Sequence, residues 1–229
     1  MALVLNEDQV MIRDSAEGFF KAEAPTTAFR KLRDSKDATG FDRALWKKMA
    51  EMGFAGVLVP EGHGGSGFGY VGAGLIQEAI GRNLSLSPML STAILAATAL
   101  LVGGTDEQKA NYLPKIASGD LLMALASDEK SRHTPNHVAT TAAASGNGFK
   151  LNGTKSFVLD GHVADKLIVA ARTSGADGDT DGITLFLVDP KAAGVSIAKQ
   201  SMVDSRNAAK VILNDVQVDG ADVLGGVGN

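Results

Sequence analysis

Apolar residues recur with helical spacing through the first half of the chain and with strand spacing through the second. Ile12, Ala16, Phe19 and Phe20 stand at i, i+4, i+7 and i+8, one stripe of a helix. Asn6 and Gln9 ahead of that stripe form a capping box, in which the Asn side chain accepts from the first turn and the Gln side chain reaches back. Pro25 ends the pattern. Leu45, Trp46, Met49 and Met52 make a second stripe closed by Gly53, and Val71, Leu75, Ile76, Ala79 and Ile80 a third closed by Gly81. From Pro88 to about Val102 the chain is apolar on nearly all sides, which suits burial inside a helical bundle. Thr105 and Gln108 repeat the capping box, and Pro114 stands where a further short helix could begin.

From about Leu121 the period changes to two. Phe149 and Leu151 alternate with Lys150 and Asn152. Asn147-Gly148 just before them is a hairpin signal, because both residues tolerate positive φ. Residues 167–171, 183–188, 195–197 and 211–213 are further β-rich runs separated by turn residues. No helical pattern long enough for a parallel crossover lies between them. The expected fold is a multidomain α+β protein. An all-α helical bundle over residues 1–119 is followed by an antiparallel β-barrel domain over residues 120–229, of about seven strands. Residues 223–229 read as a loop that begins a connection to something further on.

Composition narrows the function classes. The 229 residues carry 22 Lys and Arg against 26 Asp and Glu, a formal net charge of −4, with no long basic run. That argues against nucleic acid or an anionic membrane as partner. With no cysteine, disulfide frameworks, thiolate metal sites and Cys nucleophiles are excluded. The acidic and basic residues near the N-terminus break any signal-peptide core, and the apolar run 93–104 is well short of the ~20 residues a membrane span needs. The chain is expected to be soluble and cytoplasmic, with the mitochondrial matrix also compatible.

Local motifs carry little chemistry. Gly62-His63-Gly64-Gly65-Ser66-Gly67 matches G-x-G-x-x-G, but the segment after it is helical where a dinucleotide fold needs a second strand with an acidic end. A turn between two helices is the better reading. Residues 177–182 match the first half of an EF-hand loop, but Val188 stands where its last ligand should be, so a solvated hairpin turn is expected. His133 and His137 are separated by Pro135 and lack a third ligand, so no metal site is expected. Asp128 and Glu129, adjacent in an extended segment, point to opposite faces and do not form an acid–base pair.

The order of parts says more. Leu58-Val59-Pro60-Glu61 with Gly64, Gly65 and Gly67, then Gln77-Glu78-Ala79-Ile80-Gly81-Arg82, then Gly104-Thr105-Asp106-Glu107-Gln108-Lys109 with Tyr112-Leu113-Pro114, and Ala117-Ser118-Gly119-Asp120 run through the helical half. Leu151-Asn152-Gly153-Thr154-Lys155 and Phe186-Leu187-Val188-Asp189 mark the β half. In these stretches and their order, the chain resembles the acyl-CoA dehydrogenase family over its whole length, as that family's N-terminal helical and middle β domains.

The resemblance implies an FAD-dependent oxidoreductase acting on a CH–CH donor, a flavoprotein of fatty acid metabolism that introduces an α,β double bond into an acyl-CoA thioester. It implies electron transfer to an electron-transfer flavoprotein, and a homo- or hetero-oligomer. The family's Thr-Glu-Pro strand end matches Leu125-Ala126-Ser127-Asp128-Glu129, with Ser127 keeping a hydroxyl for the flavin's pyrimidine edge. In the loop that follows, His133 takes the place of a serine near the phosphates. The family's Trp-Ile-Thr run matches Phe157-Val158-Leu159; Phe157 keeps an aromatic face, while Leu159 has no side-chain donor for flavin N5. The flavin-binding residues implied are therefore Leu125, Ala126, Ser127, His133, Phe157, Val158 and Leu159. The usual glutamate base belongs to the family's C-terminal helical domain, so no residue here is assigned as catalytic. A non-catalytic partner subunit of a heteromeric enzyme, or an interaction module that keeps only the fold, are the alternative readings.

Overall fold

The computed structural model describes residues 4–228, so Asn229 of the expected tail lies outside the described residues. The chain forms two compact units. One comprises Met1–Thr98 with Ala110–Asp120, the other Ala99–Lys109 with Leu121–Asn229.

In the first unit, α1 (Glu7–Glu23) opens on the capping box read from the sequence. Gln9 N donates to Asn6 Oδ1 at 2.8 Å, and Asn6 N donates to Gln9 Oε1 at 3.1 Å. The helix buries Ile12, Ala16 and Phe20, and Phe19, Phe20 and Phe54 form a ring cluster with centroids 5.1–6.0 Å apart. Pro25 does end α1, but a second helix, α2 (Thr26–Ser35), follows at once and buries none of its residues. Asp42 caps α3 (Arg43–Glu51), whose buried Trp46 donates from Nε1 to the Gly119 carbonyl at 3.1 Å. α4 (Gly69–Asn83) runs past Gly81, and Leu84 takes the left-handed cap at φ 54°.

The apolar stretch after Pro88 is two structures. Residues Met89–Ala96 form wide π-turns, and α5 (Ala97–Gly103) continues them as a regular helix. Pro114 lies inside α6 (Asp106–Ala117) instead of opening a new helix. The second capping box starts α6: Gln108 N donates to Thr105 Oγ1 and Thr105 N to Gln108 Oε1. Gln108 also donates from Nε2 to the carbonyls of Ala221 and Val223, at 3.2 and 2.8 Å.

The glycine motif is a packing loop. Residues 57–59 are not a strand. The amides of Gly65, Ser66 and Gly67 donate to the carbonyls of Pro60, Gly56 and Val59. A Cβ on Gly65 would lie 2.1 Å from the Val59 oxygen, so glycine there serves close backbone approach.

The second unit is built on one sheet of eight strands: β1 (Met123–Ala126), β2 (Thr141–Ser145), β3 (Gly148–Leu159), β4 (Lys166–Arg172), β5 (Ile183–Val188), β6 (Val195–Ser201), β7 (Asn207–Asp219) and β8 (Val223–Leu224). Its order is β6-β7-β3-β2-β4-β5-β8, with β1 also paired to β4. The expected antiparallel barrel is corrected on two points. The sheet is not closed, since β6 and β8 are its two ends, and it is mixed, since β1 and β2 both run parallel to β4. β1 pairs with the first part of β4, from Met123↔Lys166 to Ala126↔Val169, and β2 takes over at Thr141↔Arg172. The link between the parallel strands β1 and β4 is the β2–β3 hairpin rather than a helix. The core is made by Ala124, Ala126, Leu151, Val158, Leu167, Val169, Phe186, Val211, Leu213 and Val216 among others, so strands from both ends of the order share one interior.

Two turns also differ in detail. Ser145 pairs with Gly148, which leaves Gly146-Asn147 as the hairpin loop, one residue earlier than Asn147-Gly148; Gly146 supplies the positive φ, 60°. The acidic 173–182 loop does join the antiparallel β4 and β5, but it is anchored from within. The buried Arg172 guanidinium donates to the carbonyls of Ser174, Asp179 and Asp181, and across to those of Asn136 and Val138. No helix among the described residues is long and apolar enough to cross a membrane.

Candidate functional site

The residues singled out on β1 and β3 meet where β1 ends and β3 bulges. β3 pairs with β7 at Lys155↔Val211 and again at Val158↔Ala209, so Ser156 and Phe157 together face one residue of β7. This extra residue is a β-bulge, which bends the strand and re-aims a side chain. Phe157 adopts φ 53°, an uncommon conformation for a bulky residue, and its ring is turned out: the residue is 45% exposed. Val158 returns to the core at 1% exposure, and Leu159 is half-buried.

β1 delivers Leu125, half-buried, and Ala126, fully buried. Ala126 and Val158 therefore have no side-chain surface to offer, and any contact they make with a bound molecule runs through the backbone. Beyond the strand, Ser127, Asp128 and Glu129 lie against the bulge. Ser156 N donates to the Asp128 carbonyl at 2.7 Å, and Ser156 Oγ donates to the Glu129 carbonyl at 3.4 Å. Ser127 is half-buried and stands next to this bond on one side as Phe157 does on the other. Ser127 and Phe157 thus each lie one residue from the bond that ties the end of β1 to the bulge of β3.

Beneath them lies an ion pair that sequence reasoning missed. Lys155 has a fully buried side chain, and its Nζ donates to Glu129 Oε1 at 2.6 Å and to the Ser127 carbonyl at 3.1 Å. Glu129 also accepts from Ala139 N at 2.8 Å and Thr140 N at 3.0 Å. A lysine is almost never fully buried unless paired. Burial pushes the Lys155 ammonium below its usual range, with Glu129 opposing the shift. Burial also works to raise the Glu129 carboxyl, but hydrogen bonds from Lys155 and Thr140 outweigh it and hold the group below the usual carboxylate range. In the sequence Lys155 lies four residues past Leu151, on the same phase of the strand, and nothing else sets it apart from a solvated lysine.

His133 stands apart from this cluster in kind. Its side chain is largely exposed, and Nδ1 meets Asp128 Oδ1 at 2.9 Å. His137 approaches Asp177 at 3.5 Å, so the two histidines turn to different carboxylates. Asp128 and Glu129 likewise serve different partners, His133 and Lys155. No group of three or more potential metal ligands gathers among the described residues.

Known proteins share both units. The family model for the acyl-CoA dehydrogenase N-terminal domain matches residues 6–120, and that for the acyl-CoA dehydrogenase middle domain matches residues 123–217. The chain is similar to the 3-(aryl)acrylate reductase of Clostridium sporogenes, at 34% identity over 97% of this chain and 59% of that protein. It is similar to the caffeyl-CoA reductase-Etf complex subunit CarC of Acetobacterium woodii, at 30% identity over 98% of this chain and 60% of that one. The crystal structure of the ChsE4-ChsE5 complex from Mycobacterium tuberculosis superposes with a TM-score of 0.86 at 29% identity, over 99% of this chain and 59% of that one. The chain thus spans about three-fifths of the length of the relatives it matches.

Proposed function

Because this chain belongs to the acyl-CoA dehydrogenase family, we propose that it supplies the helical and β portions of an FAD-dependent oxidoreductase acting on an acyl-CoA thioester. The domains on this reading are residues 1–119 and 120–229. The single observation that carries the flavin assignment is the Phe157 bulge: a strained, outward-turned aromatic ring whose neighbour Ser156 is bonded to the segment carrying Ser127.

A flavin ring needs a flat apolar face and hydrogen-bonding groups at its polar rim. Phe157 offers the face, and the Ser127 hydroxyl suits the pyrimidine rim. The backbone of Leu125, Ala126, Val158 and Leu159 would complete the ring's cradle, and His133, in the loop between β1 and β2, would lie toward the phosphates. When bound, the flavin supplies a hydride acceptor for the β-carbon of the thioester. This chain's part is to hold the ring in place and keep water from its face. The α-proton needs a carboxylate base, and Glu129 is unsuited to that role, being committed to Lys155 and two amides. On this reading the base comes from outside these residues. An electron-transfer flavoprotein as partner is supported by the likeness to the Etf-complex subunit.

A second reading has its own observation. Leu159 offers no side-chain donor at the flavin N5 position, as in a subunit that keeps the fold and lends it to a catalytic partner, and the likeness to the ChsE4-ChsE5 complex supports such pairing. The visible spectrum of the purified protein decides between them. A flavin band that bleaches anaerobically on adding an acyl-CoA supports the first reading. A band that appears only with a second polypeptide supports the partner subunit. Colourless protein under every condition leaves an interaction module.

A further inference from the structure

We infer that the buried Lys155–Glu129 pair is a positioning device for the flavin edge, holding Ser127 and the Phe157 bulge in register; this rests on the reading of the site given above.

The geometry is specific. One ammonium reaches both the Ser127 carbonyl, at 3.1 Å, and the Glu129 carboxylate, at 2.6 Å. The same carboxylate takes the amides of Ala139 and Thr140, where the chain returns from the loop that carries His133. Three segments therefore converge on one ion pair: the end of β1, the entry to β2 and the last straight residue of β3 before the bulge. Phe157 lies two residues beyond Lys155 and holds a left-handed backbone. Such a conformation persists only where its surroundings over-determine it. Without the anchor, the extra residue can be absorbed along β3, and a slip of one position would turn Phe157 toward the other face.

A pair kept only for stability behaves differently from one kept for position. Exchanging both members of a buried ion pair for neutral groups is often harmless to stability, whereas removing one member leaves a buried charge unpaired. The double variant Lys155→Met/Glu129→Gln therefore separates the roles. The measurements are thermal unfolding and amide hydrogen exchange on the full chain, with Glu129→Gln alone as the variant that leaves the Lys155 ammonium without its carboxylate. Both variants should lose about tenfold or more protection at the amides of Ser156, Ala139 and Thr140 while the β4 amides of Ile168–Ala170 keep theirs. The double variant should do so with a melting temperature near that of the parent. Unchanged protection at Ser156 in both variants, or a loss spread evenly over the sheet, would overturn the inference. A parallel FAD titration keeps the two claims apart. If the parent binds FAD, both variants should bind it about tenfold more weakly or worse. If the parent binds none, the flavin reading fails and hydrogen exchange alone judges the positioning.

Discussion

The amide of Ser156 donates to the carbonyl of Asp128 at 2.7 Å, joining the segment that leaves β1 to the bulge of β3, two stretches that share no ladder pairing among the described residues. Ser127 and Phe157 each lie one residue from this bond. The bond makes the bulge part of a site rather than an irregularity of the β3–β7 ladder.

Phe157 should be replaceable without loss of stability. Phe157→Gly and Phe157→Ala both remove the ring, but only glycine adopts φ 53° without steric cost. The glycine variant should therefore be more stable than the alanine variant by about 1 kcal/mol in urea unfolding. Equal midpoints would mean that the left-handed backbone is not kept at this position in solution.

The glycine motif offers a contrast of neighbours. A Cβ on Gly62 meets nothing within 4 Å, whereas one on Gly65 would lie 2.1 Å from the Val59 oxygen. Gly62→Ala should lie within about 0.5 kcal/mol of the parent, and Gly65→Ala should cost about 2 kcal/mol or more. Denaturant midpoints would check both, and similar effects at the two positions would contradict the packing role.

Glu129 should shape the acid limb of stability. Its folded-state carboxyl is held below the usual range, so its contribution is present above the unfolded-state value and is lost as pH falls through the folded one. Between those two values the unfolded chain binds more protons, so stability rises with pH there. Unfolding free energies measured from neutral pH downward should show a shallower acid limb in Glu129→Gln than in the parent. A limb of unchanged slope would assign the acid sensitivity to other carboxylates.

Leu159→Thr places a hydroxyl at the half-buried position that lacks a donor. On the flavin reading it should tighten FAD binding by up to about tenfold, the worth of roughly one added hydrogen bond. Fluorescence titration measures this, and unaltered or weaker binding would count against a flavin N5 beside residue 159.

Local chemistry made much of the helical unit legible. Asn6 with Gln9 and Thr105 with Gln108 are caps whose partners lie three residues apart, so the sequence contains the whole interaction. α2 was not legible, because Thr26–Ser35 fully buries none of its residues and its apolar stripe is only the half-buried pair Phe29 and Leu32. The sheet was legible as strands and not as a topology. The parallel pairing of β1 with β4 depends on Leu125 meeting Ile168, a match that no local period encodes. The same holds at the site. Phe157 could be named from its motif, but its exposure follows from the register of β7 against β3. The Lys155–Glu129 bond spans 26 positions, and a buried lysine is indistinguishable from a solvated one until its strand is placed.

The most direct test of the account is a titration of FAD with the full chain and its Phe157→Ala variant, followed by quenching of flavin fluorescence. The account predicts saturable quenching by the parent and binding about tenfold or more weaker once the ring is removed. Quenching of equal strength by both proteins, or none by the parent, would contradict it.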